Sequence, residues 1–153
     1  MQLRDHFLRT YDFNTQANQR IVDALRAVDQ PIDEALGLLG HMLHAEKLWF
    51  LRLEGFDTGT LTAWPSLTLN ECAELAAITG DSAHSFIKRL DDQSIEVRVQ
   101  YSNSKGDVYT NTIADILNHL SHHGAYHRAQ INRIIREHGA EPAKVDFISF
   151  ARG

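Results

Sequence analysis

The sequence has little of what would place the protein outside the cell, in a membrane or on a nucleic acid. Its single cysteine, Cys72, cannot form an internal disulfide, which is compatible with a reducing cytoplasm. The formal net charge is −5 and no run of lysine or arginine occurs, which argues against a nucleic-acid binder. No stretch approaches the roughly 20 apolar residues of a membrane span, and the N-terminal residues lack the apolar core of a signal peptide. We expect a cytoplasmic protein with no nucleic-acid or membrane partner.

What the sequence contains instead is a helical pattern of apolar residues. A chain of 153 residues, 43% of them hydrophobic, fits one domain over residues 1–153 with one core. Apolar residues spaced by three and four predict four helices, over residues 2–28, 32–54, 68–90 and 112–138. Pro31 and the two glycines Gly55 and Gly139 supply stops after three of them.

The segment between the third and fourth helices changes period. IEVRVQY (95–101) alternates apolar and polar residues, which predicts a half-exposed strand. SNSKGD follows as a turn, and VYTNT can return as a second strand. Upstream, Thr68 and Glu71 have the spacing of a capping box at the start of the third helix. The fold class predicted is all-α: a four-helix bundle with a small β-hairpin before the last long helix, and with the DFISF tail packed on the bundle.

Histidine is the residue that stands out, with nine in the chain. Four of them, His119, His122, His123 and His127, fall in NHLSHHGAYHRAQI on the fourth predicted helix. Residues four apart lie on one face of a helix, so His123 and His127 project side by side and can share a metal ion. His119 extends the same stripe by one turn. His122 is rotated away from it, toward solvent or a neighbouring helix.

Two histidines make a weak metal site, and a third ligand has to come from another helix. His41 and His44, in GHMLHAEKLW on the second predicted helix, are the candidates. They are three residues apart and lie on nearly the same face, so spacing alone does not choose between them.

Three imidazoles favour zinc, nickel, copper or ferrous iron over magnesium or calcium. Three protein ligands also leave a coordination position open for water or substrate, which is typical of catalytic sites. A metal ion held in this way can lower the pKa of water toward about 7 or carry a thiolate nucleophile.

Three functions are compatible with this pattern. The first is a metal-dependent transferase or hydrolase that acts on a small molecule. The second is a non-catalytic, stress-related protein that binds metal through the same ligands. The third is a structural bundle without metal, because an isolated His-x3-His pair on a helix is commonly accidental. Near these histidines, Glu46 is interpreted as a surface or interhelical salt-bridge residue rather than a general base. Trp64 is a candidate for the mouth of a pocket or for a partner surface.

The two histidine segments resemble the DinB-like (damage-inducible) family, metal-binding four-helix bundles of bacteria. HLSHHGAYHRAQI is similar to the family pattern H-x3-H-x3-HRGQ, and HMLHAEKLW is similar to its H-x7-W segment. The stretch VQYSNSKGDVY and the closing DFISF also look like family features. Ala129 departs from the pattern, which usually has glycine there. Alanine is the better helix former, so the departure leaves the helix intact.

The resemblance implies a set of metal ligands. His41, eight residues before Trp49, matches the family position, whereas His44 does not. The three implied ligands are then His41, His123 and His127. His119 matches a family histidine that is usually not a ligand, so its implied role is a pocket group behind or beside the ligands, with a fourth ligand as the alternative.

The resemblance also implies an activity class. Some related proteins are thiol-dependent transferases or isomerases that use bacillithiol, mycothiol or glutathione bound to the metal as thiolate, and many relatives have no assigned reaction. We therefore expect a divalent transition metal (zinc or nickel, with iron as the alternative), a small-molecule substrate and a low-molecular-weight thiol. Bundles of this size often pair through an exposed helix face, so we also expect a homodimer.

Overall fold

Helices form most of the structure, a computed structural model that describes residues 1–153. The four long helices are α1 (Leu3–Arg26), α2 (Asp33–Leu53), α3 (Leu69–Lys88) and α4 (Ile113–Glu137). The smaller elements are a 3-10 turn (Ser94–Glu96), strands β1 (Arg98–Ser102) and β2 (Val108–Thr112), and the C-terminal helix α5 (Phe147–Ala151). This confirms the predicted all-α bundle with a hairpin before the last long helix, and every long helix ends within two residues of its predicted bounds. None of the helices combines the length and the apolar character that a membrane span requires.

Capping boxes set the starts of α3 and α4. The Thr68 hydroxyl accepts a hydrogen bond from the Glu71 N–H at 3.2 Å, and the Glu71 carboxylate accepts one from the Thr68 N–H at 2.7 Å. Thr112 and Asp115 exchange the same two bonds at the start of α4, at 3.0 and 3.2 Å. The predicted box at Thr68 is confirmed. Each box satisfies N–H groups that the first helical turn leaves without partners.

The buried side chains show the direction of the four helices. One apolar cluster, which includes Ile131, joins the C-terminal halves of α1 and α4 to the N-terminal halves of α2 and α3. A second cluster, which includes Leu117, joins the opposite halves. Thus α1 and α4 run in one direction, and α2 and α3 run in the other. The link from α2 to α3, residues 54–68, must therefore return along the length of the bundle, and we call it the crossover segment.

A layer of buried polar side chains separates the two apolar clusters. Its members come from all four helices and are between 2% and 5% exposed: Asn14, Asn18, Glu46, Thr79 and Arg128. Each helix is apolar on both sides of this layer, so the polar residues interrupt the stripes at one level of the bundle. The interpretation of Glu46 as a surface or salt-bridge residue is wrong, because its carboxylate is buried and forms no ion pair shorter than 4.0 Å.

The first predicted strand begins later than its alternating pattern indicates. Residues 94–96 form the 3-10 turn because the Asp91 carboxylate accepts a hydrogen bond from the Ser94 N–H at 2.7 Å and bends the chain. Ile95 is then fully buried in the second cluster, so its place in the pattern reflects core packing rather than a strand. The pairing of β1 with β2 is antiparallel, with Tyr101 opposite Tyr109. The predicted second strand, VYTNT, is confirmed as β2.

The C-terminal segment returns to α1. The rings of Phe147 and Phe150 lie 5.2 and 5.6 Å from the ring of Phe13. This is the predicted contact of the DFISF tail with the bundle, although Phe147 stays 43% exposed.

Gly80 allows α3 to approach α1 closely, without interrupting the helix. A Cβ atom at this position would lie 2.7 Å from Cγ2 of Thr15. We expect Gly80→Ala to lower the free energy of unfolding by about 1–2 kcal/mol, because overpacking outweighs the better helix propensity of alanine. Urea unfolding followed by circular dichroism measures the change.

Gly37 is the matched control, since it lies within α2, is exposed, and has nothing within 4 Å of the added Cβ. Gly37→Ala should be neutral or stabilising by up to about 1 kcal/mol. Thr15→Ala should restore most of the loss in Gly80→Ala. Equal effects of the two glycine substitutions would contradict the close approach.

Candidate metal centre

The α4 backbone brings His123 and His127 together as their spacing predicts. Their Nε2 atoms lie 3.1 Å apart, and their ring centroids are 4.4 Å apart. Two nitrogen ligands of a tetrahedral zinc ion with bonds of about 2.05 Å are separated by roughly 3.3 Å. The spacing of the two imidazoles therefore fits a shared metal ion.

His41 completes a group of three on α2. Its ring centroid lies 5.2 Å from that of His123 and 4.9 Å from that of His127. One ligand atom from each of the three histidines lies within 4.8 Å of the others, a geometry that could hold a metal ion. The structure thus brings together the three residues that the resemblance implies.

The two remaining candidate histidines lie outside this group. The Nδ1 atom of His44 is buried without a hydrogen-bond partner, and burial lowers the pKa of the imidazole. His119 is exposed, with its ring 5.7 Å from the rings of both His123 and Trp49. It lines a neighbouring cleft of about 250 Å³, which agrees with the predicted position of a pocket group.

Hydrogen bonds orient two of the three imidazoles. The Nδ1–H group of His41 donates to the backbone carbonyl of Ala63 at 2.6 Å, and that of His127 donates to the side-chain oxygen of Gln130 at 2.7 Å. Because both partners accept, each Nδ1 carries the proton and each Nε2 keeps its lone pair. Such outer bonds fix the tautomer of metal-binding histidines. The donors present therefore fit a divalent transition metal.

Trp64 of the crossover segment covers His41. The two rings are stacked with centroids 3.8 Å apart and an angle of 9° between their planes. The segment passes close to α2 beside this pair, since a Cβ at Gly40 would lie 3.5 Å from the carbonyl oxygen of Pro65. The position of Trp64 at the mouth of a pocket stays a prediction, and its stacking on a ligand candidate was not predicted.

Burial and mutual repulsion keep the paired histidines neutral. Burial, followed by the proximity of His127, His41 and His119, lowers the pKa of His123 to about 4. Burial also lowers the pKa of His127, with Gln130 opposing the shift and His41 adding to it. Neutral imidazole is the form that binds metal, so protons compete little for His123 and His127 near neutral pH.

The buried polar layer lies directly behind the histidines. Arg128 follows His127, and its Nη1 donates to the side-chain oxygens of Asn14 at 2.6 Å and Asn18 at 2.8 Å. The Asn14 amide in turn donates to both carboxylate oxygens of Glu46 at 3.3 Å. The sequence did carry a signal for this network, because Asn14 and Asn18 are four residues apart within the apolar stripe of α1.

An open cleft borders two of the three histidines. Its volume is about 430 Å³, and both His41 and His123 line it. The other walls come from α2, the crossover segment and the hairpin turn, and their side chains include Trp49, Arg52, Thr58, Thr62, Asn103 and Ser104. Cys72 has no place there: it is fully buried in the first cluster, and burial raises the pKa of its thiol to about 11.

The sequence pattern of the DinB family matches residues 4–153. This chain belongs to the DinB family. It is 21% identical to Protein DinB of Bacillus subtilis (strain 168) over an alignment of 164 residues. The alignment covers 95% of this chain and 93% of that protein.

The fold of this DinB-family chain is also found in a solved relative. The crystal structure of a DinB-like protein from Bacillus cereus ATCC 10987 is similar, with a TM-score of 0.70 and 16% sequence identity. The similarity covers 93% of this chain and 97% of that chain. It confirms the predicted fold, and the match to the DinB family confirms the predicted family.

Gln130 holds the tautomer of His127, so its loss should weaken metal binding. We expect Gln130→Ala to raise the dissociation constant for zinc about 10-fold or more, since lost outer-shell partners typically reduce metal affinity by roughly that factor. Calorimetric zinc titration of chelator-stripped protein measures the change. Gln16→Ala, at an exposed position of α1, is the control and should bind zinc as the unmodified chain does.

Burial makes Glu46 a source of pH-dependent stability. It raises the Glu46 pKa from 4.5 to about 7, against the opposing effects of the Asn14 hydrogen bonds and the Arg128 charge. The folded chain therefore binds the extra proton between these values, and its stability falls as pH rises through them. Relative to Glu46→Gln, the unmodified chain should lose up to about 3 kcal/mol between about pH 5 and about pH 8.

Urea unfolding of both chains at the two pH values measures this difference. Glu74→Gln, on the exposed side of α3, is the matched control for the substitution itself. A difference between the two chains that stays constant with pH would mean that the Arg128 charge keeps Glu46 ionised throughout.

Proposed function

We propose that this DinB-family protein binds one divalent transition-metal ion through His41, His123 and His127. The observation that supports this most is the convergence of three imidazoles, two of them with the Nδ1 proton directed at an oxygen and the Nε2 lone pair left free. Three nitrogen ligands favour zinc or nickel, with iron as the alternative. The 3.1 Å contact between the Nε2 atoms of His123 and His127 places both nitrogens close enough to share one ion.

We further propose that the bound ion serves an enzyme that acts on a small molecule. The cleft of about 430 Å³ beside His41 and His123 supports this, because it gives a small substrate access to the ligand group. With three protein ligands, the metal supplies an acidic position that activates water or a thiol. The reaction classes that fit are a transfer to a low-molecular-weight thiol and a hydrolysis, and the thiol and the homodimer both stay predictions.

In this proposal the protein's own groups have separate tasks. Ala63 and Gln130 hold the orientation of two ligands, and Trp64 shields one face of His41 from water. His119 lies beside His123 at the entrance of the neighbouring cleft. Because its exposed ring can exchange protons with solvent, it is the candidate for a proton carrier at the cleft.

Metal binding can be tested by titrating chelator-stripped protein with zinc and with nickel. We expect one ion per chain, and a loss of affinity of about 100-fold or more in each of His41→Ala, His123→Ala and His127→Ala. The emission of Trp64 gives a second readout, since its indole stacks on His41. His44→Ala and His122→Ala are the controls and should bind the metal like the unmodified chain.

Turnover needs a separate experiment. Zinc- and nickel-loaded protein is incubated with a thiol and a small electrophile, and with ester and amide substrates, while product is measured by chromatography. The proposal predicts turnover that disappears on chelation and in His127→Ala. Full metal occupancy without turnover on any substrate would favour the non-catalytic metal-binding function instead.

A further inference from the structure

Arg52 occupies an unusual position at the rim of the cleft. Its guanidinium carbon lies 4.7 Å from the centre of the Trp49 ring and 5.7 Å from that of Tyr101. Its Nε donates a hydrogen bond to the Thr58 hydroxyl at 3.0 Å. Contacts with α2, β1 and the crossover segment thus hold the head group in place, and little side-chain entropy remains to be lost when it binds a ligand.

The guanidinium has no anionic partner within the protein. No carboxylate lies within 4.0 Å of Arg52, whereas Arg89, at the outer side of α2 and α3, pairs with Glu54 at 2.8 Å. The Nη1 and Nη2 groups of Arg52 donate no hydrogen bond to a protein atom, because its only bond is the one from Nε. Partial burial also lowers its pKa from the usual value.

The charged side chains that line the surrounding cleft are of one sign only, positive. The chain carries a net charge of −5, yet the residues that line the cleft of His41 and His123 include no aspartate or glutamate. Arg52 is the one residue with a permanent charge among them, and Thr58, Thr62, Asn103 and Ser104 supply neutral hydrogen-bonding groups. A cationic head group in a cleft free of carboxylates is complementary to an anion.

We propose that Arg52 is an anion-binding residue and that the cleft takes small molecules with a carboxylate or phosphate group. The Nη1 and Nη2 groups form a planar fork that matches two oxygens of such an anion. The reactive end of the same molecule then faces His41 and His123 across the cleft. This inference rests on the proposed function for the reactive end only, because the anion contact itself needs no metal.

The binding experiment compares the full chain, chelator-stripped and zinc-loaded, with Arg52→Gln, which removes the charge, and Arg52→Lys, which keeps it. The probes are succinate, phenyl phosphate and the neutral succinamide, and the readout is an NMR titration that follows the Trp49 indole resonance, which every variant retains. Arg89→Gln is the matched control, because it removes one exposed positive charge away from the cleft.

In metal-free protein we expect succinate or phenyl phosphate to bind the unmodified chain and Arg89→Gln at least about tenfold more tightly than Arg52→Gln, as a charged hydrogen-bond pair typically provides. Arg52→Lys should recover part of the affinity, and succinamide should not distinguish the variants. The stronger of the two anions identifies the preferred class. Equal affinities in the unmodified chain and Arg52→Gln, or no anion binding at all, would overturn the inference.

Zinc titration of the same variants separates this inference from the proposed function. Arg52→Gln should bind zinc within about twofold of the unmodified chain, since the residue touches none of the three histidines. If the unmodified chain binds no zinc, the metal site is contradicted. The comparison of anion binding in metal-free protein stays valid in that case. Zinc binding without an Arg52 effect on anions would retain the metal site and remove the anion subsite.

Discussion

The hydrogen bonds of one buried cation, Arg128, constrain the rest of this structure. Its guanidinium lies between two apolar clusters and is 2% exposed. Asn14 and Asn18 of α1 accept its hydrogen bonds, and the Asn14 amide donates a hydrogen bond to the carboxylate of Glu46 on α2. An enclosed charge that loses its partners costs several kcal/mol, roughly 3–5. The apolar clusters tolerate small shifts between helices, whereas these directed bonds allow only one register of α1, α2 and α4.

That register is what brings the histidines of two helices together. Along α4, neighbouring residues have different tasks: His123 and His127 belong to the histidine group, while Gly124 and Arg128 lie against the polar layer. A Cβ at Gly124 would lie 2.9 Å from both Arg128 Nη1 and Asn14 Oδ1, so glycine leaves the room that the guanidinium needs. Each ligand candidate of α4 is thus followed in sequence by a residue that determines how deeply this helix is seated in the bundle.

Periodicity predicted most of the fold, and spacing predicted two of the three candidate ligands. The helix bounds follow from apolar residues and stop signals, which are local, and the pair His123 and His127 follows from a single helical turn. Choosing His41 over His44 needed the family resemblance, because the choice depends on how α2 is rotated against α4. Glu46 was misjudged for the same reason: its surroundings are residues of α1 and α4 that are distant in sequence. The strand start was misplaced because Ile95 is apolar for packing and not for pairing.

The crossover segment gives the candidate site a property that a rigid bundle lacks. The orientation of His41 depends on Ala63 and Trp64, which lie in a loop of irregular backbone rather than in a helix. Opening of that loop would break the hydrogen bond between His41 Nδ1–H and Ala63 and let the imidazole rotate. In the proposed metal site, ion capture and loop closure would therefore share one free-energy cycle. The rate at which an ion exchanges would then follow the lifetime of the closed loop, and the helices themselves would not need to move.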